Sequence, residues 1–223
     1  MKTVRTPLQW IDLFKSLNSF WRHDGNPKRP HALLTGDGHS NGFFNWSNVA
    51  QYPIYAREAT EDLARILVLR PEKEIWWQLN RVVGPGYGAI TMADRLSEAL
   101  SFITGYQYSS GFTEKGPDGT MLLNRFKLGA GDMILPCEDT ITSGKSVGKT
   151  IDAIAESGGQ VAGLIAAICN RSGHTAVYGR PIVALIDVPM DNWTADECPL
   201  CKAGSVAIRP KKDNNWELLN AEY

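Results

Sequence analysis

Residues 133–147 read MILPCEDTITSGKSV, and this stretch decides the fold. An apolar segment, predicted to be a strand over residues 132–137, comes first and is followed by two acids, Glu138 and Asp139. Small and hydroxyl-bearing residues then lead into a helix predicted over residues 146–157. A strand, a short polar loop and a helix in this order are typical of one unit of a parallel α/β sheet.

The same alternation of strand and helix runs through the middle of the chain. Residues 161–169 are almost continuously apolar, which favours a centre strand of a parallel sheet. Apolar residues at helical spacing predict helices over residues 8–21, 54–69 and 89–103. Further strands are predicted over residues 31–35, 43–45, 75–83, 106–112, 121–126 and 182–188. The pattern therefore predicts an α/β fold with a doubly wound core.

This organisation divides the chain into three parts. Residues 1–52 hold the first helix and two short strands, and residues 53–190 hold the α/β core. Residues 191–223 carry the sequence CPLC at 198–201 and little periodicity. We interpret this last part as a small C-terminal extension packed on the core.

Composition excludes several classes of protein. The 223 residues carry 23 Lys and Arg against 24 Asp and Glu, a formal net charge of −1. That balance argues against a broadly basic protein that coats nucleic acid. No apolar run approaches the roughly 20 residues of a membrane helix. Four cysteines are too few for a disulfide scaffold, which indicates a reducing, cytoplasmic environment.

The residues that follow strand 132–137 suit a sugar phosphate. The two adjacent carboxylates can accept hydrogen bonds from neighbouring sugar hydroxyls. The small-residue loop and the start of the next helix can direct backbone N–H groups at a phosphate. A ribose 5-phosphate combines both groups. An acidic cap on an ordinary loop between strand and helix explains the same residues equally well.

Four stretches of the sequence resemble a known family. Residues 133–147 resemble the signature of type I phosphoribosyltransferases. Three further stretches resemble, in the same order, segments of the orotate phosphoribosyltransferase branch: HALLTGDGHSNGFFN (31–45), FTEKGPDGTMLLNRF (112–126) and ECPLCKAGSVAIRPK (197–211). The resemblance implies a mostly parallel sheet flanked by helices, with an N-terminal hood over the base and a small C-terminal extension.

The resemblance also implies an activity. Members of this branch transfer phosphoribosyl from phosphoribosyl pyrophosphate (PRPP) to orotate in pyrimidine and UMP biosynthesis, giving orotidine 5′-phosphate and pyrophosphate. Mg²⁺ accompanies PRPP, and homodimers share active sites across a two-fold axis. Residues 84–87 fall where the family places its pyrophosphate loop. The aromatic residues near this loop, Trp76, Trp77 and Tyr87, are candidates for the contact between the two subunits. A PRPP-dependent transferase for another base and a non-catalytic PRPP-binding regulator are the alternatives.

Site roles carry over residue by residue. Glu138 and Asp139 match the acids that bind the ribose hydroxyls, and Lys115 matches a lysine on pyrophosphate. Lys115 and Asp139 are thereby the candidate catalytic residues. The remaining candidates for PRPP are Gly86, Tyr87, Thr140, Thr142, Ser143, Gly144, Lys145 and Ser146. The candidates for the base are Phe43, Phe44 and Arg171, whose guanidinium could pair with the carboxylate of orotate.

Several positions depart from the family pattern. Thr35 stands where several orotate enzymes carry a base-binding lysine, and Gly88 stands where some members place a pyrophosphate-binding lysine. Residues 116–120 contain no Lys or His, although many members use such residues there to reach the partner subunit's site. Asn124 replaces a frequent arginine, and Pro136 interrupts the usual aliphatic run before the acids.

Three other motifs point to different ligands. Residues 84–89 match the outline of a dinucleotide-binding turn, G-x-G-x-x-A. Residues 144–150 resemble a Walker A loop that is one residue short between its glycines. Cys198 and Cys201 could form half of a zinc site, two ligands short of closure, with His174 the nearest further candidate; the alternative is that they are buried or free thiols. No direct protein ligand for Mg²⁺ is predicted.

Overall fold

The computed structural model describes residues 3–70 and 76–223. Ile75, with which the expected strand 75–83 begins, lies outside the described residues. The helices are α1 Pro7–Ser16, α2 Trp46–Ala50, α3 Pro53–Val68, α4 Gly88–Thr104, α5 Lys145–Glu156, α6 Pro199–Lys202 and α7 Asn215–Asn220. The strands are β1 Phe20–Arg22, β2 His31–Leu33, β3 His39–Ser40, β4 Gly42–Phe44, β5 Leu79–Pro85, β6 Ser109–Lys115, β7 Met121–Leu122, β8 Met133–Ile141, β9 Gln160–Val161, β10 Ile165–Asn170, β11 Ala176–Val177, β12 Arg180–Asp187, β13 Asn192–Trp193 and β14 Ala207–Ile208.

The main sheet has β8 at its centre. Its strand order is β11-β12-β10-β8-β5-β6-β7, with β9 paired to the start of β8. Strands β12, β10, β8, β5 and β6 run parallel, and only β11 and β7 at the two edges are antiparallel to their neighbours. The prediction of an α/β fold built on a mostly parallel sheet is therefore confirmed.

Packing on both faces of the sheet follows the alternation of side chains along β8. Leu135 belongs to the large cluster that includes Trp10 of α1, Leu63 of α3 and Leu96 of α4. Its neighbour Ile134 points to the opposite face and packs with residues of β5 and α5. Trp76, expected at the surface, is buried in the large cluster.

Several element bounds differ from the sequence predictions. Helix α1 ends at Ser16 rather than residue 21, because Asn18 adopts a left-handed φ of 52° and Trp21 pairs with Phe43 in the β1–β4 ladder. The apolar run 161–169 splits into β9 and β10, and the strand expected over 121–126 is reduced to β7. Strand β8 continues past residue 137 through both acids to Ile141.

The N-terminal segment and the C-terminal extension share a second sheet of order β13-β3-β2-β14. Strand β14 runs parallel to β2, with Ala207 opposite His31, and β13 pairs with β3. The indole N–H of Trp21 also donates to the carbonyl of Leu219 at 2.9 Å. Residues more than 150 positions apart thus form one layer beside the core.

Among residues 3–70 and 76–223, no helix combines the length and the apolar character needed to cross a bilayer.

Leu135 tests the importance of the centre strand. Its side chain is fully buried, so Leu135→Ala should lower the free energy of unfolding by about 2–5 kcal/mol. Leu8, exposed on α1, offers a matched control, and Leu8→Ala should change stability by no more than about 0.5 kcal/mol. Urea unfolding followed by circular dichroism measures both. Equal losses for the two variants would contradict the placement of β8 at the centre of the core.

Candidate active site

A cavity of about 960 Å³ opens at the carboxyl ends of β5, β8 and β10. The second sheet and the C-terminal extension form its opposite side. This is the edge of a parallel sheet at which ligands bind in doubly wound folds. Its lining residues are Leu33, Leu34, Thr35, Gly36, Gly38, Phe43, Phe44, Asn45, Trp46, Ser47, Tyr87, Gly88, Asp139, Thr140, Thr142, Ser143, Lys145, Ser146, Arg171, Asn192, Arg209, Pro210, Lys211 and Lys212.

The two acids of β8 point in different directions. Because the strand continues through them, successive side chains lie on opposite faces of the sheet. Asp139 is half-buried and lines the cavity. Glu138 is buried behind the wall, where the Ser146 hydroxyl and the Val147 N–H favour its charged form and so lower its pKa against the effect of burial. The sequence predicts that both acids bind the ribose hydroxyls. Of the two, the structure brings only Asp139 to the cavity wall.

Burial perturbs both carboxyl groups. It raises the pKa of Glu138 to about 8, and the negative charge of Asp139 adds to the effect. The Oε2 atom of Glu138 is buried and has no hydrogen-bond partner among the described residues. Burial also raises the pKa of Asp139, while the backbone N–H of Asp139 and the charge on Lys211 oppose that rise. Lys211 is therefore close enough to influence the acid that faces the cavity.

The loop after β8 turns on a single glycine. Gly144 has a φ of +75°, and a Cβ there would lie 2.5 Å from Cγ2 of Val177. This turn lets α5 begin at Lys145, so that Lys145 and Ser146 of its first turn lie at the cavity. Four loop residues line the wall, namely Thr142, Ser143, Lys145 and Ser146. The segment predicted to hold a phosphate is thus placed at the cavity.

The turn between β5 and α4 approaches β8 closely. A Cβ on Gly84 would lie 2.5 Å from the Ala89 Cβ, and a Cβ on Gly88 would lie 2.6 Å from Oδ1 of Asp139. A side chain at position 88 would therefore shift the carboxylate of Asp139. Tyr87, 93% exposed, lines the cavity beside Gly88.

Arg171 forms the buried cationic end of the cavity. It is only 2% exposed, and its guanidinium donates to Oγ of Ser40. Its Nε atom is buried without a hydrogen-bond partner among the described residues. Burial lowers the pKa of Arg171 to about 10, so the group stays charged at neutral pH. A buried cation with an unused N–H suits an anionic ligand group.

The two adjacent phenylalanines have different environments. Phe44 is buried in the core, with its ring 5.1 Å from that of Phe14. Phe43 is half-buried, and its ring lies 6.2 Å from that of Trp216. Both contribute to the lining of the cavity, but Phe43 has the more accessible ring.

Sequence reasoning missed the basic residues of the extension. Arg209, Lys211 and Lys212 line the cavity, and Nζ of Lys211 lies 6.0 Å from the centre of the Phe43 ring. The run RPKK at 209–212 was the available signal. Its relevance depends on the pairing of β14 with β2, which local sequence does not specify.

Other predicted residues lie away from the wall. The described lining does not include Gly86, Gly144 or Lys115, and Lys115 is exposed at the end of β6. Lys149, the lysine of the Walker-like motif, lies within α5, and its Nζ contacts the carbonyl of Gly119. It therefore points to the β6–β7 loop rather than to the mouth of the phosphate loop.

The cysteine pair of the extension also has unexpected neighbours. Cys198 and Cys201 lie against His31 and His39 of the second sheet. His174, the expected further ligand, is exposed and outside this group.

Comparison with known proteins identifies relatives along most of the chain. The orotate phosphoribosyltransferase of Heliobacterium modesticaldum is 35% identical over 181 residues, which cover 81% of this chain and 88% of the relative. The orotate phosphoribosyltransferase of Caldicellulosiruptor bescii is 32% identical over 202 residues, which cover 90% and 95%. No protein-family model matches the chain.

Solved structures share the fold at lower identity. The orotate phosphoribosyltransferase of Mycobacterium tuberculosis in complex with Fe(III) dicitrate superposes with a TM-score of 0.57 at 17% identity, over 81% of this chain and 95% of that one. The orotate phosphoribosyltransferase of Aeropyrum pernix gives a TM-score of 0.54 at 15% identity, over 79% and 93%.

The buried Glu138 should make stability depend on pH. Its pKa is about 8 in the folded protein, against 4.5 for an unperturbed glutamate. The folded state therefore holds a proton that the unfolded state loses between these values. The contribution of Glu138 to stability is present below pH 4.5 and is lost as the pH rises through 8.

Glu138→Gln should remove this component. As the pH rises from 5 to 8, the wild type loses the stability that depends on protonated Glu138, whose pKa is about 8 in the folded state. The free energy of unfolding of the variant should therefore increase relative to that of the wild type over this range. Urea unfolding at several pH values measures the difference. Glu156→Gln, which removes an exposed carboxylate from α5, controls for net charge. A constant difference between wild type and Glu138→Gln across that range would contradict the buried, neutral state of Glu138.

Proposed function

The chain belongs to the orotate phosphoribosyltransferase family, and from this premise we propose that it transfers the phosphoribosyl group of PRPP to orotate. The products are orotidine 5′-phosphate, an intermediate of pyrimidine biosynthesis, and pyrophosphate. The observation that carries the proposal is that one cavity combines residues suited to the ribose phosphate with basic residues suited to the base. Asp139, the loop at 142–146 and Arg171 line the cavity at the edge of the main sheet, and Lys211 lines it from the extension.

The ribose phosphate is held by β8 and the start of α5. Asp139 accepts hydrogen bonds from the ribose hydroxyls, and the backbone N–H groups at Ser143 to Ser146 bind the 5-phosphate. Thr140 and Thr142 add hydroxyl donors at the same wall. Glu138 positions this loop through Ser146 and Val147.

The base is held between the core and the extension. The guanidinium of Arg171 pairs with the carboxylate of orotate, and the ring of Phe43 covers the pyrimidine. Lys211 lies over the same ring and supplies a cation near the place where Thr35 lacks one. The absence of a lysine at position 35 is thereby compensated from the other end of the chain.

The reaction requires positioning and charge neutralisation rather than a covalent intermediate. Positive charge develops on the ribose ring as pyrophosphate leaves, and the nearby carboxylate of Asp139 stabilises it. The carboxylate of Asp139, which lines the cavity, would fit a Mg²⁺ complex of PRPP, whereas Glu138 is buried behind the wall. The chemistry that Mg²⁺ supplies when bound is neutralisation of the pyrophosphate charge.

Lys115 acts on the pyrophosphate of a partner chain in this proposal. It is exposed and lies outside the wall of its own cavity. Tyr87, 93% exposed, lies in the turn that follows β5 and suits a two-fold contact, whereas Trp77, 62% exposed, precedes β5 and lies at the other end of that strand. We therefore propose a homodimer. A cytoplasmic location fits the four cysteines, which form no disulfide bonds.

Two features favour a second function, a protein that binds PRPP without catalysing transfer. The loop 116–120 carries no Lys or His, and Lys115 lies outside the cavity of its own chain. A protein that binds PRPP without turnover would need neither group. A transferase for another base is the remaining alternative, since Thr35 replaces the base-binding lysine of several orotate enzymes.

A PRPP-dependent assay distinguishes the three functions. The purified protein, PRPP and Mg²⁺ are incubated with orotate, uracil, hypoxanthine, guanine or adenine, and pyrophosphate release is measured. Turnover of orotate alone supports the proposal. Turnover of another base in place of orotate rejects orotate as substrate but leaves the transferase. PRPP binding by calorimetry without turnover of any base supports the regulator.

Asp139→Asn tests the ribose end. The substitution keeps the size of the side chain and removes its charge, so PRPP affinity should fall by about 1.5–3 kcal/mol. Calorimetry in the presence of Mg²⁺ measures the loss. Asp94→Asn, an exposed acid on α4, is the matched control and should bind PRPP as wild type does. Unchanged affinity in Asp139→Asn would reject the role of this acid.

Arg171→Ala tests the base end. Loss of one partner of a buried charge pair should weaken orotate binding by about 2–5 kcal/mol and leave PRPP binding nearly unchanged. Lys211→Ala should act in the same direction with a smaller effect, because Lys211 is exposed. The KM values for orotate and PRPP give both numbers, and the exposed Lys28→Ala is the control. Equal effects on both substrates would contradict the assignment.

The dimer is tested by mass and by complementation. Light scattering should give twice the chain mass of 24.6 kDa. If Lys115 serves the partner's cavity, an equal mixture of re-associated Lys115→Ala and Asp139→Asn chains should recover about a quarter of wild-type activity, since half the dimers then hold one intact site of two. A single-chain mass, or a mixture no more active than its components, counts against the shared site.

A further inference from the structure

Four side chains outside the active site meet beneath the second sheet. His31 on β2 and His39 on β3 face Cys198 and Cys201, which flank the start of α6 in the extension. Each offers one ligand atom, and these four atoms all lie within 4.8 Å of one another. His31 and Cys198 are fully buried, and His39 is 8% exposed. Nothing in the proposed transferase reaction uses this cluster.

The hydrogen bonds of His31 determine which of its nitrogens is free. Its Nδ1 atom lies 2.8 Å from Oγ of Ser205, and the hydroxyl of Ser205 donates its one proton to the carbonyl of Arg29. Nδ1 of His31 must therefore be the donor to Ser205. In the neutral ring this leaves a lone pair on Nε2, the atom that faces the cluster.

That lone pair is surrounded by three further ligand atoms. Nε2 of His31 lies 2.9 Å from Nδ1 of His39 and 3.5 Å from each of the two cysteine sulfurs. The sulfur of Cys201 lies 3.2 Å from Nδ1 of His39. One lone pair cannot satisfy three neighbours at once. A central cation accepts electron pairs from all four atoms and resolves the conflict.

We propose that His31, His39, Cys198 and Cys201 bind one Zn²⁺ in a closed tetrahedral site. Tetrahedral zinc with bonds of about 2.0–2.3 Å places its ligand atoms roughly 3.3–3.8 Å apart. The three nitrogen-to-sulfur distances found here, 3.2–3.5 Å, are close to this range, and the distance of 2.9 Å between the two histidine nitrogens is shorter. Two nitrogen and two thiolate ligands select zinc among the common divalent metals. Two thiolates also neutralise the ion, so the buried centre carries no net charge.

The hydrogen bond from Nδ1 of His31 to Oγ of Ser205 supports the proposed site from outside. A ligating histidine usually donates its other N–H to a nearby oxygen, which holds the ring in the orientation that the metal requires. Ser205 is itself buried and anchored to the carbonyl of Arg29. All four positions around the ion are occupied by protein, which is the arrangement of a structural rather than a catalytic zinc.

The consequence of the site is mechanical. It joins β2 and β3 to the segment that leads into β14, and β14 is followed directly by Arg209 and Lys211 on the cavity wall. Zinc would therefore hold the cationic part of the extension over the cavity. The role does not depend on which base, or whether any base, is turned over.

Metal content gives the first test. Protein expressed with added zinc and purified without chelator should contain about one zinc per chain by plasma mass spectrometry. Replacement by Co²⁺ should produce the visible ligand-field bands of a tetrahedral site together with sulfur-to-cobalt charge-transfer absorption. Protein without bound zinc, protein with iron in its place, or a Cys198–Cys201 disulfide in the native protein would overturn the proposal.

Variants locate the metal. Cys201→Ser and His39→Gln should lose the zinc and the cobalt spectrum, whereas His174→Gln, which changes an exposed histidine, should keep both. Ser205→Ala, which leaves all four ligands in place, should weaken zinc affinity roughly 10–100-fold in a chelator competition. Full zinc content in both ligand variants would place the metal elsewhere and reject the site. If these variants fail to fold, the wild-type metal content and cobalt spectrum still decide the question.

Hydrogen exchange gives a readout independent of catalysis. Removal of zinc from the wild-type protein should raise amide exchange in residues 31–40 and 197–209, while β8 and β10 at the centre of the main sheet keep their protection. Exchange that is unchanged at residues 31–40 and 197–209 would reject the role of the metal in holding the extension. A failed transferase assay with a positive metal result would reject the proposed function and leave this site intact.

Discussion

The position of β8 between β5 and β10 is the constraint on which the site depends. Parallel pairing on both sides leaves this strand no freedom of register, so its last residues emerge where the helices α4 and α5 begin. Asp139 is carried to that edge together with the start of α5. Gly144 adopts a positive φ at the turn into α5, and a Cβ on Gly88 would shift the carboxylate of Asp139.

The same constraint produces an active site that is arranged before any ligand arrives. Glu138 is buried beneath the phosphate loop and Arg171 is buried beneath the base end. Each has a polar atom without a partner among the described residues. Burying such groups costs folding free energy. Arg171 thereby presents a cation of fixed orientation at the cavity, while Glu138 lies behind the wall next to Ser146 and Val147.

The extension has a larger part than its position at the end of the chain indicates. Strands β13 and β14 join it to the N-terminal segment, and the cluster of two histidines and two cysteines links the same two parts. This layer brings Lys211 to the cavity opposite Asp139. The N-terminal segment and the C-terminal extension therefore form one wall of the cavity together, although they lie at opposite ends of the sequence.

Local sequence determined the elements whose signals are local. The apolar run into Glu138 and Asp139, the glycine turn at 144 and the start of α5 were all readable, because strand, turn and helix patterns depend on neighbouring residues. The extension of β8 to Ile141, which turns Glu138 away from the cavity, was not readable, because it is set by pairing with β10.

Tertiary structure alone decided which distant residues meet. Lys211 reaches the cavity, and His31 and His39 reach Cys198 and Cys201, only through the pairing of β14 with β2 across more than 170 positions. The expected partner His174 was nearer in sequence but lies outside the cluster. No short-range pattern encodes such contacts, since they depend on how separate layers pack. The residue types and the chemistry were thus visible in the sequence, while their assembly into sites belongs to the fold.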